Sequence, residues 1–559
     1  MPHLLLNENQ GQTVPATPPM KNLLPWIAAT AAGMLVFLGY AGFEQFYLEW
    51  ICLIPVLWAI RDQRPGRAFL IGWLAGIVMN IGGFYWAIGM FQQFAGMAWP
   101  LAALGLLLLA AANGFLFAAW AWATRLITRD AGWNVAWVAP VVWTALEKFW
   151  PEIFPNYLGG SQYRLPLVTQ IADLTGILGV TFIVVYINST LFAVIEQWSA
   201  NRRTALRSLL ACAAVLAAVL IYGQVRIRAV DRQAAAAEKL TVGLIQTNRG
   251  AGDKHQDPES LLREHQEMSR ALVASRPVDL IVWPESVLHI RAMSRQGSLP
   301  SALTGDTRTA TLFGAVVQIG ESSAAGIHGS ALLTDAGGRI LGSYDKMVLV
   351  PFGEYIPFGE TFPALYELAP PATGRFLPGK SREPLAFGKY LLSVNICYED
   401  IFPGQVRSLM RGGPDRRIPH VLFNLTNDSW YGNTTEPIEH LALASFRSIE
   451  HRRSLVRSTN TGISAFVDPV GRIVTRSGVW TRETLVDRVP MMQGSTLYAL
   501  AGDWLGWLCG LLSLAGIGRA LRVSARRGSG PRPLAEEASP GNARHPEPGR
   551  QPRRGKQHQ

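Results

Sequence analysis

Residues 389–399 read KYLLSVNICYE, and this stretch decides the fold of the middle of the chain. From Tyr390 to Ile396 five of seven residues are apolar, the exceptions being Ser393 and Asn395. A short, mostly apolar run of this kind has the character of a buried strand. The run stops at Cys397, followed by Tyr398, Glu399 and Asp400. Comparable short runs recur on either side: KLTVGLIQ (239–246), VDLIVWPE (278–285), TLFGAVVQIG (311–320), ALLTDAGGRILGSYDK (331–346), HVLFNLTND (420–428) and ISAFVDPVGRIV (463–474). A polar, helix-forming stretch (257–275) separates the first two. Asp335-Ala-Gly-Gly and Asp468-Pro-Val-Gly have hairpin-turn chemistry, because Gly admits positive φ. The pattern predicts an α/β domain of two sheets flanked by helices.

Outside this region the composition changes. Only 16% of residues are charged, and the apolar ones crowd residues 22–222 and 497–517. Crossing a bilayer takes about 20 apolar residues, and eight stretches are candidates: 23–41, 46–60, 68–90, 97–122, 133–149, 171–195, 206–222 and 497–517. The second and fifth are short. Arg61, Arg64 and Arg67, then Arg125 and Arg129, then Arg202, Arg203 and Arg207 fall in alternate connectors. The intervening ones, such as GFEQFYLE and FQQFAGM, have no Lys or Arg. The positive-inside rule makes the first set cytoplasmic. The expected organisation is a polar leader (1–22), a membrane domain of about seven helices (23–222), an extracytoplasmic globular domain (223–496), a last membrane helix (497–517) and a basic, disordered cytoplasmic tail (518–559).

The charge does not indicate nucleic acid. Ten Lys and Arg against three Glu from Arg519 onward account for seven of the eleven net positive charges. A transporter reading also lacks support, since the spans contain few ionisable residues and Glu147 and Lys148 lie near a span end. Cys52, Cys212 and Cys509 fall in apolar runs, which leaves Cys397 alone in the globular region. That domain has no internal disulfide partner, and the absence of a CxxC or Cys/His cluster argues against a zinc site.

A thiol is largely protonated at neutral pH and needs a base before it serves as a nucleophile. Glu399 and Asp400 are local acids, but neighbours on one strand face opposite ways. Glu285, in IVWPES, is the better candidate, because Pro284 ends its strand and leaves the acid at a strand's carboxyl edge. Lys346 ends ILGSYDK in the same way, where an ammonium lowers a thiol pKa and stabilises an oxyanion. Taken singly, each has a bland alternative: a buried small apolar residue, a solvated turn acid and a surface lysine. Their occurrence in order, each at a strand end, favours a catalytic set.

WPES with Glu285, YDKMVLVPFGEY with Lys346 and Glu354, and NICYED with Cys397 resemble the signatures of the carbon–nitrogen hydrolase (nitrilase) superfamily. FNLTNDSWYG and the following EPIEHLALASFRSIEHRRSLVRSTNTGISAFVDPVG resemble its apolipoprotein N-acyltransferase branch, as does FPNYLGGSQY (154–163) before an apolar span. The resemblance implies an αββα sandwich inserted in a multi-span helical membrane domain. It implies Glu285 as general base, Lys346 as transition-state stabiliser and Cys397 as nucleophile, with Glu354, Tyr398 and Glu399 supporting them. It further implies a phospholipid acyl donor, a diacylglyceryl lipoprotein acceptor and a thioester intermediate, with no cofactor, metal or nucleic acid. The protein is expected to be a monomer of the bacterial inner membrane, with its catalytic domain on the periplasmic side. The rival readings are a membrane-tethered amidase, with water as acceptor, and a non-catalytic scaffold. Some positions depart from the family pattern. TNRGAGDKHQD (247–257) has His255 where an aromatic is expected, Met347 replaces a His or Arg, and Pro437-Ile438-Glu439-His440 and Arg447-Ser448-Ile449-Glu450 are variants of family strings. Residues 356–376 have the composition of a lid or membrane-dipping arm.

Overall fold

The computed structural model describes residues 19–250, 257–291, 297–318, 326–367, 373–413 and 415–528. Most of the expected leader, the tail from residue 529, and Lys254 and His255 lie outside the described residues.

The first part is a helical bundle: α1 (Pro19–Gly39), α2 (Ile54–Ile60), α3 (Pro65–Gly83), α4 (Ala87–Ala95), α5 (Trp99–Leu126), α6 (Val135–Phe149), the single turns α7 (Pro166–Thr169) and α8 (Ala172–Thr175), α9 (Ile177–Gln197) and α10 (Arg202–Ala236). Six helices among the described residues are long and apolar enough to cross a membrane: α1, α3, α5 with its continuation to Ala131, α9, α10 and the last helix of the chain. The two stretches that were short in sequence stay short. Residues 46–60 split into a 3-10 turn (Phe46–Trp50) and the seven-residue α2, and α6 has 15 residues.

The helix ends gather on two faces. On one, Arg61 pairs with Glu196 at 2.7 Å, Arg125 donates to the Gln63 carbonyl at 2.7 Å, and Arg527 lies 3.8 Å from Asp130. The Arg-bearing connectors and the end of the last helix therefore meet. On the other face the connectors touch the globular domain, as where Trp86 meets Glu439 and Phe94 stacks edge-on against Trp430.

Helix α10 is longer than its expected span of 206–222. At about 1.5 Å per residue its 35 residues extend about 52 Å. Its last turns leave the bundle and pack Ile227 and Val230 against Val470 and Met492 of the globular domain.

That domain begins with β1 (Lys239–Gln246), α11 (Pro258–Ser275), β2 (Leu280–Val282), β3 (Leu288–Arg291), β4 (Ala310–Gln318), β5 (Ile327–Thr334) and β6 (Ile340–Asp345). It continues with β7 (Leu385–Phe387), β8 (Tyr390–Ile396), α12 (Pro403–Met410), β9 (Val421–Thr426), α13 (Glu436–His451), β10 (Leu455–Thr459), β11 (Ala465–Val467), β12 (Ile473–Arg476) and β13 (Glu483–Pro490). The chain then returns to the bundle through α14 (Leu497–Ala501) and α15 (Trp504–Gly528). The first sheet runs β13-β1-β2-β4-β5-β6, with β3 also on β4; the second runs β12-β11-β10-β9-β8-β7. Both proposed hairpin turns form, between β5 and β6 and between β11 and β12, with Gly338 and Gly471 at φ +83° and +86°.

The strand pattern explains the layers. Val242, Leu244, Val282 and Leu312 of one sheet meet Val394, Ile396, Phe423 and Val456 of the other in a shared core. The alternate residues face outward, where Ile245, Ile281 and Phe313 receive Met268 and Leu272 of α11. Leu422, Leu455 and Ala465 receive Val406 of α12 and Leu441 of α13. The result is the αββα sandwich, with strands apolar on both faces because both faces are covered.

Candidate active site

Each of the expected groups follows a strand. Strand β2 stops before Trp283-Pro284, and Glu285 sits in the turn beyond, next to Ser286 at φ +57°. The turn lies close over β4: a Cβ on Gly314 would come within 2.5 Å of Glu285 Cα. Only glycine fits there, and Gly314 N–H donates to the Pro284 carbonyl. Lys346 follows β6, its N–H bonded to the Gly329 carbonyl.

Cys397 does not lie on the strand, as its sequence position suggested. It opens a 3-10 turn, Cys397–Ile401, at φ +56°. A left-handed non-glycine residue costs about 1–3 kcal/mol. Asn424 of β9 fixes this conformation by donating to the Cys397 carbonyl at 2.8 Å.

Lys346, 1% exposed, is the hub. Its Nζ lies 2.7 Å from Glu354 Oε1 and 3.4 Å from Glu285 Oε1, and 5.7 Å from the Tyr398 ring centre. Glu354 is held in turn by the Val350 N–H, and Tyr398 by a bond from its hydroxyl to the Leu349 carbonyl. The charges of Glu285, Lys346 and Glu354 all act on the Cys397 thiol. Burial pushes that thiol well above its ordinary pKa, and Glu285 adds to the effect; Lys346 pulls it down but does not prevail. Lys346 thus acts on the thiol in the expected direction, against the larger effect of burial. Burial works against a charge on Lys346, yet its acidic neighbours, Glu354 and Glu285 among them, hold its pKa well above the usual value, so it stays an ammonium.

Glu399 points away from this group. Its fully buried carboxyl accepts N–H bonds from Met347, Val348 and Ile396 and the Tyr344 hydroxyl, at 2.7 to 3.0 Å. It ties the segment after Lys346 to the turn that holds Cys397. Burial pushes its pKa up to about 7.

Behind the turn lies a network that sequence reading missed. Arg457 of β10, fully buried, bonds Asp400 at 2.9 Å, Asp428 at 3.0 Å and Asn424 at 2.8 Å. His440 Nε2 lies 2.7 Å from Asp400. The available signal was an arginine at the centre of LVRST, a strand otherwise suited to the core. Asp428, Glu436 and His440 also place one potential metal-ligand atom each within 4.8 Å of one another. Arg457 and Asp400 already occupy Asp428 and His440, so the cation this cluster is built around is the guanidinium.

The domains meet through further buried groups. Asp173 binds both Arg226 and Arg452, and Glu450 caps α9 by accepting the Ile177 N–H. Glu450 also pairs with Arg447, so that variant string acts at the seam.

Residues 32–190 match the family model described as the apolipoprotein N-acyltransferase N-terminal domain, and residues 241–495 match that of carbon–nitrogen hydrolase. An apolipoprotein N-acyltransferase of Geobacter metallireducens is 30% identical over 498 residues, spanning 87% of this chain and 93% of the relative. The chain belongs to the apolipoprotein N-acyltransferase family. Other members are similar over comparable lengths. The Bradyrhizobium diazoefficiens protein is 31% identical across 85% of this chain and 91% of its own. The Azotobacter vinelandii protein is 30% identical across 92% and 97%. Among solved structures, an amidase from a Nesterenkonia species is 22% identical with a TM-score of 0.32, covering 45% of this chain and 91% of the amidase. The family membership makes this chain an acyltransferase-family membrane enzyme with a nitrilase-type domain.

Proposed function

We propose that the protein N-acylates the α-amine of the N-terminal diacylglyceryl-cysteine of lipoproteins, using a phospholipid as acyl donor and Cys397 as nucleophile. The observation that carries this reading is the gathering of Lys346, Glu285 and Glu354 about Cys397 in a sandwich seated on a membrane-embedded bundle. Both substrates are anchored in a bilayer, and the nucleophile is held beside one.

Because the resting thiol keeps its proton, attack and deprotonation are joined. Glu285 accepts the proton as Cys397 Sγ bonds to the ester carbonyl carbon, and the Lys346 ammonium stabilises the oxyanion. The carbon–oxygen bond breaks, Glu285 returns the proton to the departing lysophospholipid, and a thioester remains. The acceptor amine then attacks the thioester; its proton passes through Glu285 to the Cys397 thiolate, and the amide is released. Glu354 keeps Lys346 in place, Tyr398 lines the entry, and Glu399 holds the two loops in register.

In this reading residues 223–496 are the catalytic domain on the periplasmic side of the inner membrane. The Arg-rich face at the far end of the bundle is cytoplasmic. The purified protein, given phospholipid and a diacylated lipopeptide, should yield the triacylated lipopeptide, and Cys397→Ala should yield none. Free fatty acid as the sole product would make the protein a hydrolase instead.

A further inference from the structure

A cavity between bundle and globular domain reaches Tyr398, and its other lining residues take no part in the steps above. Trp86 and Phe154 line it from the bundle side, and Tyr398, Tyr431, Glu436 and Glu439 from the other. The rings are set edge to face: Trp86 to Tyr431 at 5.1 Å, Trp86 to Phe154 at 5.7 Å and Phe154 to Tyr398 at 6.4 Å.

Two carboxyl groups enter this aromatic lining. Glu436 is 7% exposed, and its Oε2 has no hydrogen-bond partner among the described residues. Its other oxygen lies 3.7 Å from His440. Glu439 Oε1 is likewise buried without a well-formed hydrogen bond, Thr435 being its nearest side-chain donor, while Oε2 receives a long 3.4 Å bond from the Trp86 indole. Leaving a buried polar group unsatisfied is costly, and two such carboxyls beside one aromatic-lined cavity point to a ligand there. Carboxylates accept hydrogen bonds, and ring faces attract cations. The complement to both is a small organic cation on an apolar stem.

We propose that this cavity is an ammonium-binding subsite, in which Glu436, Glu439 and the surrounding rings hold a substrate's primary amine beside Tyr398. The assignment rests on the acyl-transfer reading, where two sources of that group exist: the acceptor's α-amine and the ethanolamine headgroup of a donor phospholipid. Burial pushes the Glu439 carboxyl up to about 8, and burial with the Asp428 charge pushes Glu436 well above its ordinary value. Burial thus disfavours a charge on both carboxyls, and a cation pairing with them offsets that cost.

The test is binding to the Cys397→Ala enzyme in detergent, which needs no turnover. One arm compares a diacylated lipopeptide bearing a free α-amine with its N-acetylated form. The other compares phosphatidylethanolamine with phosphatidylglycerol of the same chains. In at least one arm the amine ligand should bind about 10- to 100-fold more tightly, as a charge-assisted bond allows. Adding Glu439→Gln, which keeps an acceptor for Trp86, should erase most of the difference, and Glu436→Gln should reduce it. The arm that responds names the source. Equal affinities in both arms, or a preference that survives both substitutions, overturns the subsite. Failure of the acyl-transfer reading shows separately, as no acyl adduct on wild-type Cys397 while ammonium discrimination persists.

Discussion

Replacing Arg457 by Met is the sharpest test of how the turn bearing Cys397 is supported. The buried network holds two cations and two anions. Burial and Arg457 both work against a charge on His440, yet Asp400 and Asp428 hold its pKa up at about 9. Burial opposes ionisation of Asp428, but Arg457 holds its pKa down at about 2. Arg457→Met leaves one net negative charge without a partner. Breaking a buried pair costs about 3–5 kcal/mol. In a domain of this size each kcal/mol lowers the melting midpoint by about 2–4 °C, so the drop should be about 6–20 °C. Asn424, bonded to both Arg457 and the Cys397 carbonyl, should transmit the damage as slower acyl-adduct formation. Arg457→Met combined with Asp428→Asn returns the buried charge to zero and should recover at least half of the lost midpoint. Thermal unfolding of the detergent-solubilised proteins at matched scan rate measures this. A single variant as stable as wild type, or a double variant no better than the single one, would show that Arg457 does not neutralise the buried acids.

Other outcomes follow from the same structure. Lys346→Ala and Glu285→Gln should each slow acyl-adduct formation about 100- to 1000-fold in folded protein, by rapid-quench mass spectrometry. Thermal stability should fall as pH rises from 5 to 9. Burial raises the Glu399 and Glu450 carboxyls from 4.5 to about 7, so their contribution is complete below 4.5 and lost through about 7. His440, raised from 6.5, loses its contribution through about 9. A midpoint that climbs over that range would contradict these assignments. In intact spheroplasts, an impermeant thiol reagent should label Ala274→Cys on the exposed side of α11 but not Ser524→Cys near the end of α15; the reverse would invert the topology.

The sandwich was legible because strands covered on both faces read as short apolar runs, and because Pro284 and the two Gly-bearing turns mark where strands stop or reverse. Glu285, Lys346 and Cys397 were legible as strand-end residues with matching chemistry, and the structure brings them together with Glu354. The direction of Glu399 was not. Strand alternation was the wrong rule for it, since the chain coils into a 3-10 turn at Cys397, and only tertiary contact shows the Met347 and Val348 amides waiting there. Arg457, Asp428 and His440 are 12 or more residues apart and form one network only through the β9–β10 pairing and α13. The length of α10 beyond its span was not legible for a related reason. Hydropathy records the apolar part of a helix, but a helix continues wherever packing and backbone hydrogen bonds sustain it.

On the proposed mechanism Cys397 forms the acyl-enzyme and an amine discharges it. Intact-mass measurement of purified protein after exposure to phospholipid tests both halves. The expected result is one acyl chain added on Cys397, persistent in buffer, lost when a diacylated lipopeptide with a free α-amine is added, and absent from Cys397→Ala. An adduct that survives in Cys397→Ala, or one that water discharges as fast as the lipopeptide does, would contradict it.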